Sequence, residues 1–265
     1  MMVMGDGGRG NKKQKKIAKA MLQVCHAQGC DFVLGLGDNI YPNGVSSVHD
    51  AQFKTKFDKI YKKFGRFDFW MLPGNHDWRG SIQAQIDYSK ISPRWRMPAA
   101  HYTIPLLPDW LHLYALDTEK LSTSQLEAVG NSLRAKWGWK ILAGHHPIVS
   151  RGLHGSHIDI ALTLLPEITR YQVPLYLAGH DHHQEHIETP QFHQVVQGGA
   201  GANMRYVRNG KSKWKHMGII QRFRRSAHGF STVEMTREFL KLNFYDHKGN
   251  LIYQFEIHSD DFIDR

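Results

Sequence analysis

Val33-Leu34-Gly35-Leu36-Gly37-Asp38-Asn39-Ile40-Tyr41 is the stretch whose reading decides the fold. Asp31 to Leu36 is a short apolar run that reads as a buried strand. Its end delivers a carboxylate, Asp38. An aspartate after a strand is, by itself, most often a turn or cap residue. Here the same arrangement recurs along the chain. Residues 1–5 read as a strand followed by Asp6. Phe67 to Leu72 precedes Asn75 and His76, Lys140 to Ala143 precedes His145, and Pro174 to Ala178 precedes His180 and His182. Open α/β sheets gather their ligands at the carboxyl ends of the strands. Aspartate, asparagine and histidine placed at that edge from several strands predict a metal site.

Working outward, Asn11 to Gln28 reads as a helix with Ile17, Met21 and Val24 on one face and Gly29 as its stop. Asp50 to Phe64 carries a Phe53, Phe57, Ile60, Phe64 stripe and reads the same way. Trp110 to Leu116 is a further strand. Ser122 and Gln125 form a capping-box pattern for a helix running towards Trp137. Phe230 to Met235, Phe239 to Tyr245 and Leu251 to Ile257 alternate, with Lys248-Gly249-Asn250 as a turn. Strands alternating with helices imply an α/β layered fold. The C-terminal strands are expected to form a second sheet. No repeat, linker or domain boundary interrupts the chain.

Composition narrows the class. With 265 residues, 41% of them hydrophobic, the chain can bury a large core. Cys25 and Cys30 are too few for a disulfide framework, and Cys25, beside the apolar face of its helix, is expected to be a small core residue. No apolar run of about 18 residues exists, so no membrane span is expected, and the first residues carry no signal-peptide pattern. A formal charge of +10 favours anionic partners such as phosphorylated substrates. Eighteen histidines point to metal or acid–base chemistry.

Five motifs in order, Gly5-Asp6-Gly7, Gly37-Asp38-Asn39-Ile40-Tyr41, Gly74-Asn75-His76-Asp77, Gly144-His145-His146-Pro147 and Gly179-His180-Asp181-His182, resemble those of the purple acid phosphatases within the calcineurin-like metallophosphoesterases. Ser81 to Trp95 is similar to the small, mammalian-type, tartrate-resistant members, and Tyr41 is the mark that separates this group from metallophosphoesterases at large. The resemblance implies one domain over residues 1–265, with a four-layer α/β/β/α sandwich of two mixed sheets flanked by helices. It implies a dinuclear acid phosphatase that hydrolyses phosphate monoesters with a metal-activated water. Asp6, Asp38, Tyr41 and His182 match ligands of a ferric site, with Asp38 bridging. Asn75, His145 and His180 match those of a second, divalent site holding iron, zinc or manganese. His76 and His154 match histidines that contact substrate and supply a proton to the leaving group. The donor types suit these ions, since a hard trivalent cation favours carboxylate and phenolate oxygen. The implied partners are small phosphate monoesters, phosphoproteins or nucleotides among them, met by a monomer in a secreted, periplasmic or lysosomal setting, with no membrane and no obligate nucleic acid. His146 stands where the mammalian-type enzymes have tyrosine, and the loop between Thr118 and Ser122 is much shorter than theirs.

Rival readings rest on other residues. Gly5-Asp6-Gly7-Gly8-Arg9-Gly10 fits a dinucleotide-binding fingerprint on paper, but Asp6 inside the glycine loop would oppose a pyrophosphate, and the histidine motifs would go unexplained. A basic nucleic-acid-binding protein would use Lys12, Lys13, Lys15 and Lys16 together with Arg205 to Arg225, where Tyr206 and Trp214 are interspersed. A solvated helix face and a basic loop explain the same residues. A phosphodiesterase of the same superfamily is the third alternative.

Overall fold

The computed structural model describes residues 1–134, 137–205, 207 and 215–261. Along the first half run β1 (Met2–Met4), α1 (Lys12–Gln28), β2 (Val33–Gly35), α2 (Ala51–Phe53), α3 (Lys59–Tyr61), β3 (Phe69–Met71), α4 (Ile82–Tyr88), β4 (Trp95–Arg96), β5 (Tyr102–Thr103), β6 (Leu111–Ala115) and α5 (Thr123–Leu133). The second half adds β7 (Trp139–Ala143), α6 (Ile158–Arg170), β8 (Leu175–Ala178), β9 (Gln184–Glu188), β10 (His193–Gln197), β11 (Ile220–Arg225), β12 (Gly229–Met235), β13 (Phe239–Asp246) and β14 (Leu251–His258). A π turn over Lys54–Asp58 joins α2 to α3, so residues 51–61 run as one helical rod, as the aromatic stripe predicts.

The strands form two seven-stranded sheets, ordered β14-β13-β12-β1-β2-β3-β4 and β11-β9-β10-β8-β7-β6-β5. In the first sheet β1 to β4 are parallel, and β12 lies antiparallel on the other edge of β1, with Met2 opposite Thr232. This corrects the expectation that the C-terminal strands make a second sheet. They extend the first one, because β12 pairs antiparallel with the edge of β1 that β2 leaves open. The second sheet comes from residues 102–225.

Three buried clusters explain the layering. Val3, Leu34, Leu113, Ile141, Leu177, Val195, Leu242 and Phe244 pack between the sheets. Met2, Met4 and Val33 point the other way, as the period of two requires. They meet Ile17 and Met21 of α1, and Phe53, Phe57, Phe69 and Trp95 complete that cluster. Tyr114, Leu142 and Tyr176 on the far face of the second sheet meet Val129 and Leu133 of α5 and Leu164 and Ile168 of α6. Helix, sheet, sheet and helix therefore stack as four layers.

Local signals mostly act as expected. Asn11 caps α1, its side chain accepting from Gln14 N at 2.9 Å, while Lys12, Lys13, Lys15 and Lys16 are exposed on the solvated face. Ser122 caps α5 through Gln125 N at 3.2 Å. Only half of the capping box forms, because the Gln125 side chain instead accepts from Asp117 N at 2.8 Å and donates to Asp117 O at 3.1 Å. One reading holds only in part: Cys25 packs half-buried against the core, but not as a free thiol. Cys25 and Cys30 form a disulfide, since Gly29, at φ 79°, turns the chain back and leaves the two Cα atoms 5.2 Å apart. Helical periodicity alone does not show that return.

Candidate metal centre

Every candidate residue sits on a loop at the carboxyl end of a strand. Asp6 follows β1, Asp38 and Tyr41 follow β2, Asn75 and His76 follow β3, His145 follows β7, and His180 and His182 follow β8. Asp6, Asp38 and His180 adopt left-handed backbone, with φ of 59°, 53° and 66°. Non-glycine residues there are strained, and such strain persists where the surroundings over-determine it. The surroundings do so here: a Cβ on Gly8 would lie 2.0 Å from Asn39 O, and one on Gly74 would lie 2.3 Å from Asp38 N. The loops bearing Asp6, Asp38 and Asn75 therefore touch through backbone, which only glycine permits.

Two donor sets converge. In the first, the ligand atoms of Asp6, Asp38 and His182 lie within 4.8 Å of one another. The Tyr41 hydroxyl stands 3.0 Å from Asp6 Oδ1 and 3.1 Å from His182 Nε2. In the second, His145 Nε2 lies 3.1 Å from Asn75 Oδ1, 3.2 Å from His180 Nδ1 and 3.5 Å from Asp38 Oδ1. Asp38 thus faces both sets. The outer nitrogens fix the rings: His145 Nδ1 donates to Leu36 O at 2.8 Å and His182 Nδ1 to Asn203 O at 2.7 Å, leaving each Nε2 lone pair turned inward. Imidazole nitrogens, carboxylates, an amide oxygen and a phenol facing shared space are the donors a metal pair takes. The residues present fit such a pair.

Burial and the two carboxylates set the proton affinities of these groups. Burial, followed by the Asp6 and Asp38 charges, pushes the Tyr41 phenol well above its usual range. Burial opposes the charge on His145 and His182, but the carboxylates outweigh it: Asp38 with Asp6 raises His145, and the Asp6 hydrogen bond and charge raise His182. His180 is pushed far down by burial and by the histidines around it.

The structure brings both proposed acid–base histidines to the same opening. A cavity of about 300 Å³ is lined by Asp38, Asn75, His76, Arg79, His154, His180, His182 and Arg205. His76 Nδ1 donates to Pro42 O at 2.5 Å, and its Nε2 lies 3.9 Å from Asp38 Oδ2. The His154 ring centroid is 4.4 Å from that of His180. His146 is tied to Thr118 Oγ1 at 2.9 Å and lies 3.6 Å from Glu119, and burial with the neighbouring imidazoles takes its pKa down to about 2.

Sequence reasoning missed the supports. Buried Asp77 accepts from Asn39 N at 3.0 Å, Ile40 N at 3.1 Å, Gly74 N at 2.9 Å and Gln85 Nε2 at 3.1 Å. It ties the Asn75 loop to the Asp38 loop. Buried Asp181 accepts from Ser150 Oγ at 2.5 Å and from His154 N at 3.0 Å. Thr118 Oγ1 accepts from His145 N and His146 N at 3.1 and 3.0 Å. Asp77 and Asp181 lie inside two of the five motifs, so their positions were visible and their tasks were not. Arg79 had no sequence signal, and Arg205 was visible only as the start of the basic Arg205–Arg225 stretch.

Asp6 in this cluster also removes the dinucleotide reading of the first glycine loop. Tyr206 and Trp214 of the nucleic-acid reading lie outside the described residues. No helix among the described residues is long and apolar enough to cross a membrane.

Comparison with known proteins gives the same answer. Residues 2–184 match the family model described as calcineurin-like phosphoesterase. Tartrate-resistant acid phosphatase type 5 from Sus scrofa is 30% identical over 89% of this chain and 78% of its own length. Purple acid phosphatase 3 from Arabidopsis thaliana is 29% identical over 96% of this chain and 76% of its own. Among solved structures, the purple acid phosphatase PPD1 from yellow lupin superposes with a TM-score of 0.75 at 16% identity, over 97% of this chain and 53% of that one. A donor-lined edge between two mixed sheets and a family match over most of the chain lead to one conclusion: the chain belongs to the calcineurin-like phosphoesterases and is a metal-binding hydrolase of the acid phosphatase group.

Proposed function

We propose that the chain hydrolyses phosphate monoesters at a dinuclear centre of Fe(III) and a divalent iron, zinc or manganese ion. The observation that carries this reading is Asp38 facing two donor sets at once. Asp6, Asp38, Tyr41 and His182 would hold the ferric ion, and Asp38, Asn75, His145 and His180 the divalent one. Tyr41 supports the ferric choice, since a hard trivalent ion favours phenolate oxygen and the Tyr41 hydroxyl stands beside Asp6 and His182. When bound, such a pair lowers the pKa of water and offsets the charge of the phosphoryl group.

The chain's own groups do the rest. His76, with Nδ1–H fixed on Pro42 O, turns Nε2 towards the cavity, and in its imidazolium form it would give the Nε2 proton to the leaving alkoxide and return to the neutral ring. His154 lines the same cavity and shares that task. The Cys25–Cys30 disulfide suits an oxidising compartment such as the secreted or lysosomal setting of the resemblance.

The test is turnover of the metal-loaded protein on a monoester and a diester with the same leaving group. Faster monoester hydrolysis is expected, with His76→Ala lowering it about 10²–10⁴-fold while both metals stay bound. A faster diester rate would favour the phosphodiesterase alternative. Metal loss from His76→Ala would overturn the acid role.

A further inference from the structure

Two guanidinium groups stand at the metal cavity, and the hydrolysis described above has no task for them. Arg79 closes the 3-10 turn Asp77–Arg79 that follows β3 of the first sheet. Arg205 follows β10 of the second sheet. Both line the cavity together with His76 and His154. Among the described residues Asp38 is the one carboxylate in that lining, and it faces the metal donors. The position of Arg205 is set by its backbone: its N donates to His182 O at 3.4 Å and its O accepts from Ser226 Oγ at 2.9 Å. Its Nε is buried and has no hydrogen-bond partner among the described residues. Arg79, exposed at the rim, makes no ion pair there either.

A guanidinium at a cavity wall offers a planar fork of N–H donors that matches phosphate oxygens. On that reading the scissile phosphoryl group would be taken up by the metal pair, with His76 and His154 beside it. We propose that Arg79 and Arg205 are specificity residues that hold a second phosphoryl group of the substrate. This rests on the phosphatase reading and adds to it: the substrate class is a phosphate ester or anhydride carrying another phosphate a few bonds from the one cleaved. The two arginines follow strands of different sheets, and both line the one cavity.

The experiment uses the full-length metal-loaded protein with three matched substrates: adenosine 5′-monophosphate, adenosine 5′-diphosphate and adenosine 3′,5′-bisphosphate. A charge-assisted hydrogen bond is worth about a tenfold change in binding or more. Arg205→Gln, and to a smaller extent Arg79→Gln, should raise KM about tenfold on one or both doubly phosphorylated substrates, with kcat and the monophosphate KM within about twofold of the parent. The affected substrate tells whether the second group is held as an anhydride or as a separate ester. Equal KM changes on all three substrates, or none on any, overturn the inference. A separate arm reads binding without turnover. The affinity for methylenediphosphonate should fall about tenfold in Arg205→Gln while that for orthophosphate stays, and parallel losses refute the assignment. If no ester is hydrolysed at all, the phosphatase reading falls, and the binding arm still decides the role of the arginines.

Discussion

Asp181→Ala should lower turnover without removing either metal, and it should do so only through His154. The Asp181 carboxylate is fully buried between two ligand-type residues, yet both its hydrogen bonds go to the loop over residues 150–154. A Cβ on Gly152 would lie 2.2 Å from the Asp181 carboxyl carbon, so that loop is pressed directly against it. Truncation strands the Ser150 hydroxyl and the His154 N–H, each costing about 1–3 kcal/mol when left dry. His154 N is only partly buried, and water entering the gap offsets part of the cost, so a net bias of about 2 kcal/mol against the aligned loop is the working figure. At about 1.4 kcal/mol per decade, that is a roughly 30-fold fall in kcat. The assay is steady-state hydrolysis of a monoester with a poor leaving group, beside elemental analysis. The double variant Asp181→Ala, His154→Ala should be no slower than His154→Ala alone, because the support has nothing left to support. Multiplying effects, or lost metal, would show that Asp181 acts on His180 and His182 instead.

Other perturbations probe other parts. Gly8→Ala places a methyl 2.0 Å from Asn39 O, a backbone atom that cannot swing aside, so the Asp6 and Asp38 loops must part. Metal content by elemental analysis should drop sharply while the far-ultraviolet circular dichroism keeps its shape; full metal loading would refute the contact. Tyr41→Phe should abolish any visible absorption of the iron-loaded protein, since the phenol oxygen beside Asp6 and His182 is the group able to donate charge to Fe(III); an unchanged spectrum would remove Tyr41 from the ligands. His186, stacked on Phe255 and held by Tyr253, has its pKa taken down to about 2 by burial, then by His193 and Arg222. The unfolded chain protonates this residue below about pH 6.5 and the folded one does not, so stability falls with acidity from there, by about 2–3 kcal/mol at pH 4.5. His186→Phe should flatten that limb in urea titrations between pH 7 and pH 4.5, although the stranded Tyr253 hydroxyl lowers stability at every pH.

The site was more legible in the sequence than the fold around it. Asp6, Asp38, Asn75, His145, His180 and His182 follow short apolar runs, and a period-two run with a polar donor after it is a local signal. The helices with broad apolar faces were equally plain, since Ile17, Met21 and Val24 sit on one side of α1. Three things were not local. Sheet membership of β12 depends on which edge of β1 is open, and that is decided by residues hundreds of positions away. The Cys25–Cys30 bridge depends on a left-handed Gly29 beyond the helix end. The π turn over Lys54–Asp58 leaves the aromatic stripe nearly intact, so periodicity could not reveal it.

Asp77 and Asp181 show why the two halves of the centre stay in register. Each is a buried carboxylate one residue from a histidine, each belongs to a different sheet, and neither points into the cavity. Asp77 gathers N–H donors from the Asp38 loop and its own turn; Asp181 gathers the Ser150 hydroxyl and the His154 N–H. A carboxylate offers about four acceptor positions and no donor, which an asparagine cannot match when every neighbour is an N–H or O–H. Burial, followed by the Asp38 charge, raises Asp77 to about 7, while its backbone donors pull the other way. The positive charge of a metal beside Asp38 would remove part of that opposition and strengthen the N–H cage. Metal binding and loop order would then be coupled through Asp77, which ties the Asp38 loop to the Asn75 loop. Replacing Asp77 should loosen those loops and lower metal content, whereas replacing Asp181 should loosen the 150–154 loop and leave the metals bound.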